Sequence, residues 1–409
     1  MSLALLQALD RSDPLAAKRQ AFHIPVGLVY LDGNSLGPLP VTVREHLEHV
    51  LLQQWGTDLI RSWNTHGWVD LPLRVGAKIA RLIGAESDEV IAADSTSVNL
   101  FKVLLAALKL RPGRRVIVSD IDNFPTDLYI AQGIAELLGG YELRFVKKDQ
   151  LEDALDEQTA VLMLTEVDYR TGYLYDMARL TQLAHQKGAL TVWDLAHSAG
   201  ALPVHLNRHG VDFAVGCGYK YLNGGPGAPA FVFVARRHQS VTTPFLSGWM
   251  GHKAPFAFVP EYLPAEDIRR LTVGTPSVLS MSALEAALEV FEGVDMEQVR
   301  QKSLQLTDLF IELMEPLAAR YGLERVTPTD HARRGSQVSY RHPEGYAVMQ
   351  ALINQGVIGD FRAPDIMRFG FTPLYLRFTD VWEAVERLRQ VLQKELWREP
   401  RFSQRAKVT

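Results

Sequence analysis

Gly216-Cys217-Gly218-Tyr219-Lys220-Tyr221-Leu222-Asn223-Gly224-Gly225-Pro226-Gly227 sets a single lysine between an apolar run, residues 211–215, and a glycine-rich turn that leads into another apolar run, residues 230–235. An amine at a strand end, flanked by aromatic rings and closely approached by backbone, can lose its proton and attack a carbonyl. The same residues also suit a buried turn whose lysine extends its stem to water. The segments on either side decide between the two.

Between about residues 70 and 240, helical periodicity alternates with short apolar runs. Helices are expected at 71–83, 98–110, 127–138 and 177–187. Strands are expected at 115–119, 160–166, 190–194, 211–215 and 230–235. Continuous apolar strands separated by helices mean a mostly parallel central sheet with helices on both faces, an α/β fold. Such sheets bind ligands at the carboxyl ends of their strands.

From residue 277 the pattern turns more helical, at 280–294 and 296–317. A strand at 337–340, a helix at 346–355, a polar loop over 360–368 and a last helix at 379–396 follow. The expected division is an N-terminal segment, 1–50, joining a small domain; a large domain, 51–276; and a smaller α+β domain, 277–409, whose end from 398 frays. A chain of 409 residues exceeds the usual single core of ~250–300 residues, in keeping with two domains.

The 43 basic and 47 acidic residues nearly balance, which argues against a nucleic-acid binder. Cys217 is the only cysteine, so no intrachain disulfide and no cysteine-based zinc site can form, and a reducing, cytoplasmic setting is expected. Residues 1–22 interleave charges with apolar residues, unlike a secretory signal, and no apolar run reaches the ~18 residues of a membrane span.

Asp194 closes the run 190–194 and opens Asp194-Leu195-Ala196-His197, one helix and one strand before Lys220. A carboxylate there caps a turn, or pairs with a protonated heterocyclic nitrogen. Pyridoxal phosphate needs an aldehyde-binding lysine, an acid opposite its ring nitrogen, a ring to stack on and a phosphate cradle. Lys220, Asp194 and Phe124 are candidates for the first three. Asp94-Ser95-Thr96-Ser97, ahead of the helix at 98–110, is a candidate for the fourth, since a helix N-terminus binds anions. Neither a G-x-x-x-x-G-K-[ST] loop nor a G-x-G-x-x-G fingerprint is present.

Taken together, Asp94-Ser-Thr-Ser-Val-Asn-Leu, Phe124-Pro-Thr-Asp127, Asp194-Leu-Ala-His197 and Tyr219-Lys-Tyr-Leu-Asn223 resemble the kynureninases, which are fold-type-I, aspartate aminotransferase-like pyridoxal phosphate enzymes. Leu31-Asp-Gly-Asn-Ser-Leu-Gly-Pro38, Gly248-Trp-Met-Gly-His252 and Arg368-Phe-Gly-Phe-Thr-Pro-Leu-Tyr375 extend the resemblance from about residue 30 to residue 376.

The resemblance implies hydrolysis of L-kynurenine to anthranilate and L-alanine in tryptophan catabolism, by a homodimer with shared active sites. It places Thr96, Ser97, Phe124, Asp127, Asp194, His197, Tyr219, Trp249 and Thr275 at the cofactor, with Lys220 as its Schiff-base lysine and Trp249 and Thr275 given to the second subunit's site. Lys220, Tyr219 and Asp194 are the implied catalytic residues. Arg368, Trp63, Asn34 and Ser35 are implied at the substrate, Arg368 at its α-carboxylate. Tryptophan at 63 and threonine at 275 look like the bacterial type, which favours L-kynurenine over its 3-hydroxylated form.

Other readings weigh less. A cysteine desulfurase needs a nucleophilic cysteine on a mobile loop of the small domain, and no cysteine follows Cys217. A selenocysteine lyase fits the Arg368 and N-terminal motifs poorly. An aminotransferase lacks a marked second carboxylate-binding arginine. A catalytically silent binding module does not need Lys220, Asp194 and Arg368 together.

Overall fold

The computed structural model describes residues 2–406. Seven strands form one sheet in the order Val90–Ala92, Ala230–Val234, Phe213–Cys217, Leu190–Asp194, Thr159–Thr165, Val116–Asp120 and Glu142–Val146. The five from Phe213–Cys217 to Glu142–Val146 are mutually parallel, and Ala230–Val234 runs antiparallel to both its neighbours. The expected α/β architecture is present.

Burial on both faces explains the continuous apolar strands. Ile117, Val161, Met163 and Val192 pack on one side with Val103 and Leu104 of helix Thr96–Lys109, while Val118, Leu162, Leu164 and Trp193 pack on the other with Ile79 and Leu180. Successive strand residues alternate between the two cores, as the pleat requires. The second core continues through Phe310, Phe369 and Val381 of the C-terminal part.

That part holds a four-stranded antiparallel sheet in the order Asp360–Arg362, Ile366–Gly370, Gln337–Arg341, Glu324–Arg325, backed by helices Met296–Tyr321 and Gly345–Asn354; Phe378–Gln393 packs in turn on Met296–Tyr321. The N-terminal residues attach to it. Helix Leu3–Ser12 packs on Phe378–Gln393, Val29–Tyr30 pairs in parallel with Val357–Ile358, and the buried pair Asp13 and Lys302 lies at 2.6 Å. Helix Val278–Ala287 packs on Val41–His49 and Leu71–Leu82.

Three expectations need correction. The stretch 360–368 is not a polar loop but a hairpin, in which the buried Asp360 pairs with Arg362 on its own strand and Arg368 on the next. Val90–Ala92 and Glu142–Val146 are additional strands, both at sheet edges. The C-terminal end from residue 398 is not frayed throughout: Pro400–Ser403 forms a helical turn that buries Phe402, and the Tyr346 hydroxyl donates to Gln404 O at 3.1 Å and accepts from Ala406 N at 2.8 Å. The rest of that end, 407–409, lies outside the described residues. Among the described residues no helix is long and apolar enough to cross a membrane, and no cluster suits a metal ion.

Candidate active site

Lys220 stands on the turn that follows Phe213–Cys217, at the carboxyl end of the parallel sheet. The turn closes through Asn223 N to Lys220 O at 2.9 Å and Gly224 N to Gly218 O at 2.9 Å, and Asn223 takes a left-handed φ of 59°. Asparagine tolerates that conformation better than most side chains. The N-terminal motif clasps the same turn: Gly37 N donates to Tyr219 O at 2.8 Å.

Lys220 Nζ lies 3.0 Å from His197 Nε2. His197 is buried on the turn after Leu190–Asp194, and burial, then the charges of Lys220, Arg368 and Arg362, hold its pKa well below the ordinary imidazole range. The ring is therefore neutral, and its Nε2 shares a hydrogen bond with Nζ. Its Nδ1 is buried without a hydrogen-bond partner among the described residues.

Asp194 and Asp127 meet from two elements, the strand end and the first turn of helix Pro125–Leu138. Both are buried, and burial raises both pKa values, that of Asp127 further through the charge of Asp194; Lys220 is the cation that offsets them. Asp194 Oδ1 accepts from Ala196 N at 2.8 Å, and Thr165 Oγ1 donates to Asp127 Oδ2 at 3.3 Å. Two adjoining buried carboxyl groups under-supplied with positive charge are a site for a cationic ring nitrogen.

Phe124 caps the start of its helix with its ring partly exposed, edge-on to Tyr169 at 5.2 Å and 85°, so its face is available for stacking. Thr96 and Ser97 form the half-buried first turn of Thr96–Lys109, where Ser95 caps Val98 N at 3.3 Å. The lysine, the acid pair, the ring face and the helix N-terminus thus fit pyridoxal phosphate. Tyr219 is half-buried, its ring centre 5.8 Å from Lys220 Nζ; burial, then the neighbouring Cys217 and Asp194, push its hydroxyl pKa up, so it remains a proton donor. Cys217 is buried, and burial raises its thiol pKa.

Arg368 is a buried residue of strand Ile366–Gly370. Its Nε donates to Asp360 Oδ1 at 2.6 Å, Nη2 to Asp360 Oδ2 and to Ser35 Oγ at 3.0 Å, and Nη1 to Tyr169 O at 2.6 Å. Ser35 donates in turn to Asp360 Oδ2 at 2.6 Å. Asn34 is shut away from solvent beside Gly370, its Nδ2 donating to Gln337 Oε1 at 3.1 Å, which supports the arginine strand from behind.

Among the described residues, Trp249, Thr275 and Trp63 make no hydrogen bond or ring contact with Lys220, Asp194, Phe124 or Arg368. Trp249 stacks on Phe258 at 6.1 Å and meets Phe256 edge-on at 5.6 Å. Thr275 is exposed beside a cavity of about 210 Å³ shared with Asp94, Gly227 and Ser277. Trp63 rests edge-on to Trp68 at 5.9 Å.

Asp360, Arg362 and Tyr169 adjoin Arg368 and escaped the sequence reading. The alternation of Asp360 and Arg362 about the apolar Phe361 is the period-2 signal of a one-sided strand that would have found the first two.

Residues 299–388 match the kynureninase C-terminal domain, and residues 29–215 the aminotransferase class I and II family. A kynureninase of Burkholderia mallei (strain SAVP1) is 56% identical, and one of Pseudomonas fluorescens 54%, each over 98% of both chains. Among solved structures, an apo cysteine desulfurase from Thermococcus onnurineus NA1 superposes with a TM-score of 0.78 at 18% identity, covering 92% of this chain and 98% of its own. A cysteine desulfurase from Escherichia coli gives 0.76 at 21%, covering 93% and 98%. That distant likeness concerns the fold, fold-type I of the pyridoxal phosphate enzymes. With more than half its residues shared along nearly its whole length, the chain belongs to the kynureninase family.

Proposed function

We propose that the chain hydrolyses the Cβ–Cγ bond of L-kynurenine, giving anthranilate and L-alanine, with pyridoxal phosphate as cofactor. Full-length identity of 54–56% to kynureninases carries this reading. Bound pyridoxal phosphate supplies an electron sink conjugated with the substrate's α-carbon.

Lys220 would hold the cofactor, and its Nζ, oriented by His197 Nε2 3.0 Å away, would take the substrate's α-proton. Asp194, backed by Asp127, keeps the ring nitrogen protonated. Phe124 would cover the ring face, and Thr96 and Ser97 would hold the phosphate with Trp249 and Thr275 of a second copy. Arg368, braced by Ser35, receives the α-carboxylate. The Tyr219 hydroxyl, still protonated at neutral pH, delivers a proton to the departing β-carbon.

A homodimer is supported by the exposed apolar residues Leu52, Trp55, Leu59 and Ile60, clustered on one segment. Residues 1–50 and 277–409 are taken as the small domain and 51–276 as the large one. A lone unpaired cysteine suits the cytoplasm. Trp63 and Thr275 are assigned to a preference for L-kynurenine over 3-hydroxykynurenine.

Fluorescent anthranilate release tests the reading, with sulfide release from cysteine as the contrast. The buried Cys217 predicts no sulfide. Sulfide without anthranilate would overturn the assignment.

A further inference from the structure

Arg368 has little left to offer a ligand. Of the five N–H groups of a guanidinium, Nε and one on Nη2 go to Asp360, the other on Nη2 to Ser35, and one on Nη1 to Tyr169 O. A single N–H on Nη1 remains, too few for the two-pronged grip that planar carboxylates favour.

A second guanidinium lies on the same face. Strands Asp360–Arg362 and Ile366–Gly370 are antiparallel with Asp360 opposite Arg368, so residues 360, 362 and 368 share one side. Phe361 and Phe369 point the other way, into the core, against Tyr346 and Phe310. Arg362 Nη2 pairs with Asp360 Oδ2 at 3.0 Å and Nη1 donates to Phe361 O at 3.1 Å. The other three N–H groups have no partner among the described residues, and its side chain is 38% exposed where Arg368 is 1% exposed. One carboxylate, Asp360, therefore holds two guanidinium groups side by side, one enclosed and one open.

We infer that Arg362 is a direct contact of the substrate's α-carboxylate, sharing it with the remaining N–H of Arg368. The site thereby selects free α-amino acids over their amines by two cations rather than one. This rests on the placement of the α-carboxylate at Arg368 proposed above.

The test compares binding of L-alanine and of ethylamine, its counterpart without a carboxylate, to the holoenzyme through the cofactor absorbance. Arg362→Gln should weaken L-alanine roughly 10- to 100-fold, the range for a lost charged hydrogen bond, and leave ethylamine unchanged. Arg362→Lys should recover part of the loss. Cofactor content and thermal midpoint should stay at wild-type values, since the side chain is open to solvent. Equal weakening of both ligands, unchanged L-alanine binding, or a wild-type protein with no preference for L-alanine would overturn the inference. Binding does not require turnover: wild-type protein that shows this pattern yet releases no anthranilate would refute the proposed reaction and leave Arg362 as the carboxylate contact.

Discussion

Nζ of Lys220 sits 3.0 Å from Nε2 of His197, and burial keeps that imidazole neutral, so the two nitrogens share a hydrogen bond without a second positive charge. His197→Phe keeps an aromatic ring but removes that bond. We expect cofactor affinity to fall about tenfold, the loss of one charged hydrogen bond, in titrations of apoprotein with pyridoxal phosphate. Because the pKa of His197 lies below the working range, the pH profile of anthranilate release should keep its shape above pH 6. A lost inflection near neutrality would contradict a neutral ring.

Gly37 packs against the lysine turn with its N–H on Tyr219 O, and a β-carbon there would press on Lys220 O and on Asn223 Cα and Oδ1. Those obstacles are mostly backbone and cannot swing aside. Gly37→Ala should cost about 1–3 kcal/mol of stability, as over-packing does. Since the displaced backbone is that of Lys220, activity should fall more steeply than the melting temperature. Activity kept in full would mean that the N-terminal loop yields instead of the turn.

The sequence was readable where burial acts on whole strands. Leu190–Asp194 is buried throughout and mostly apolar up to its functional carboxylate because both faces are covered. Glu142–Val146 was not readable: an edge strand buries little, and Glu142 and Arg144 interrupt it. Arg368 was legible by motif but not by environment, since a run bearing Asp360, Arg362, Asp365 and Arg368 has the composition of a loop. Only the fold pairs Asp360 with both arginines and so turns surface chemistry into a buried ion cluster. Trp63, Trp249 and Thr275 make no contact with Lys220 through which a single chain could define their roles.

Glu166 follows strand Thr159–Thr165, buried, beside Ser198, and its Oε2 has no partner within hydrogen-bond geometry among the described residues. Burial pushes its pKa up to about 7, against smaller opposing effects of Ser198 and Arg300. A raised carboxyl pKa favours the fold fully below the unfolded value of about 4.5, and that contribution is lost as pH rises through about 7. Thermal stability should therefore decline from pH 6 to pH 8. Glu166→Gln should flatten the decline and gain up to about 3 kcal/mol at pH 8, from 1.36 kcal/mol per pKa unit. Parallel melting curves for the two proteins across that range would show that Glu166 stays protonated or is solvated.

Shared sites in a homodimer make a prediction that separate sites do not. If Trp249 serves the partner's cofactor, a mixed dimer of Lys220→Ala and Trp249→Ala protomers holds one site with both defects and one with neither. Each pure variant has only defective sites. Random re-association makes about half the dimers mixed, each with one sound site of two, so activity should return to about a quarter of wild type. Mixing without exchange of subunits should restore nothing, which supplies the control. Charging the exposed apolar segment with Ile60→Asp, at 76% exposure in the single chain, should abolish the recovery by preventing association, visible as a monomer in sedimentation. Recovery absent in demonstrably mixed dimers would place Trp249 at its own chain's site or at none.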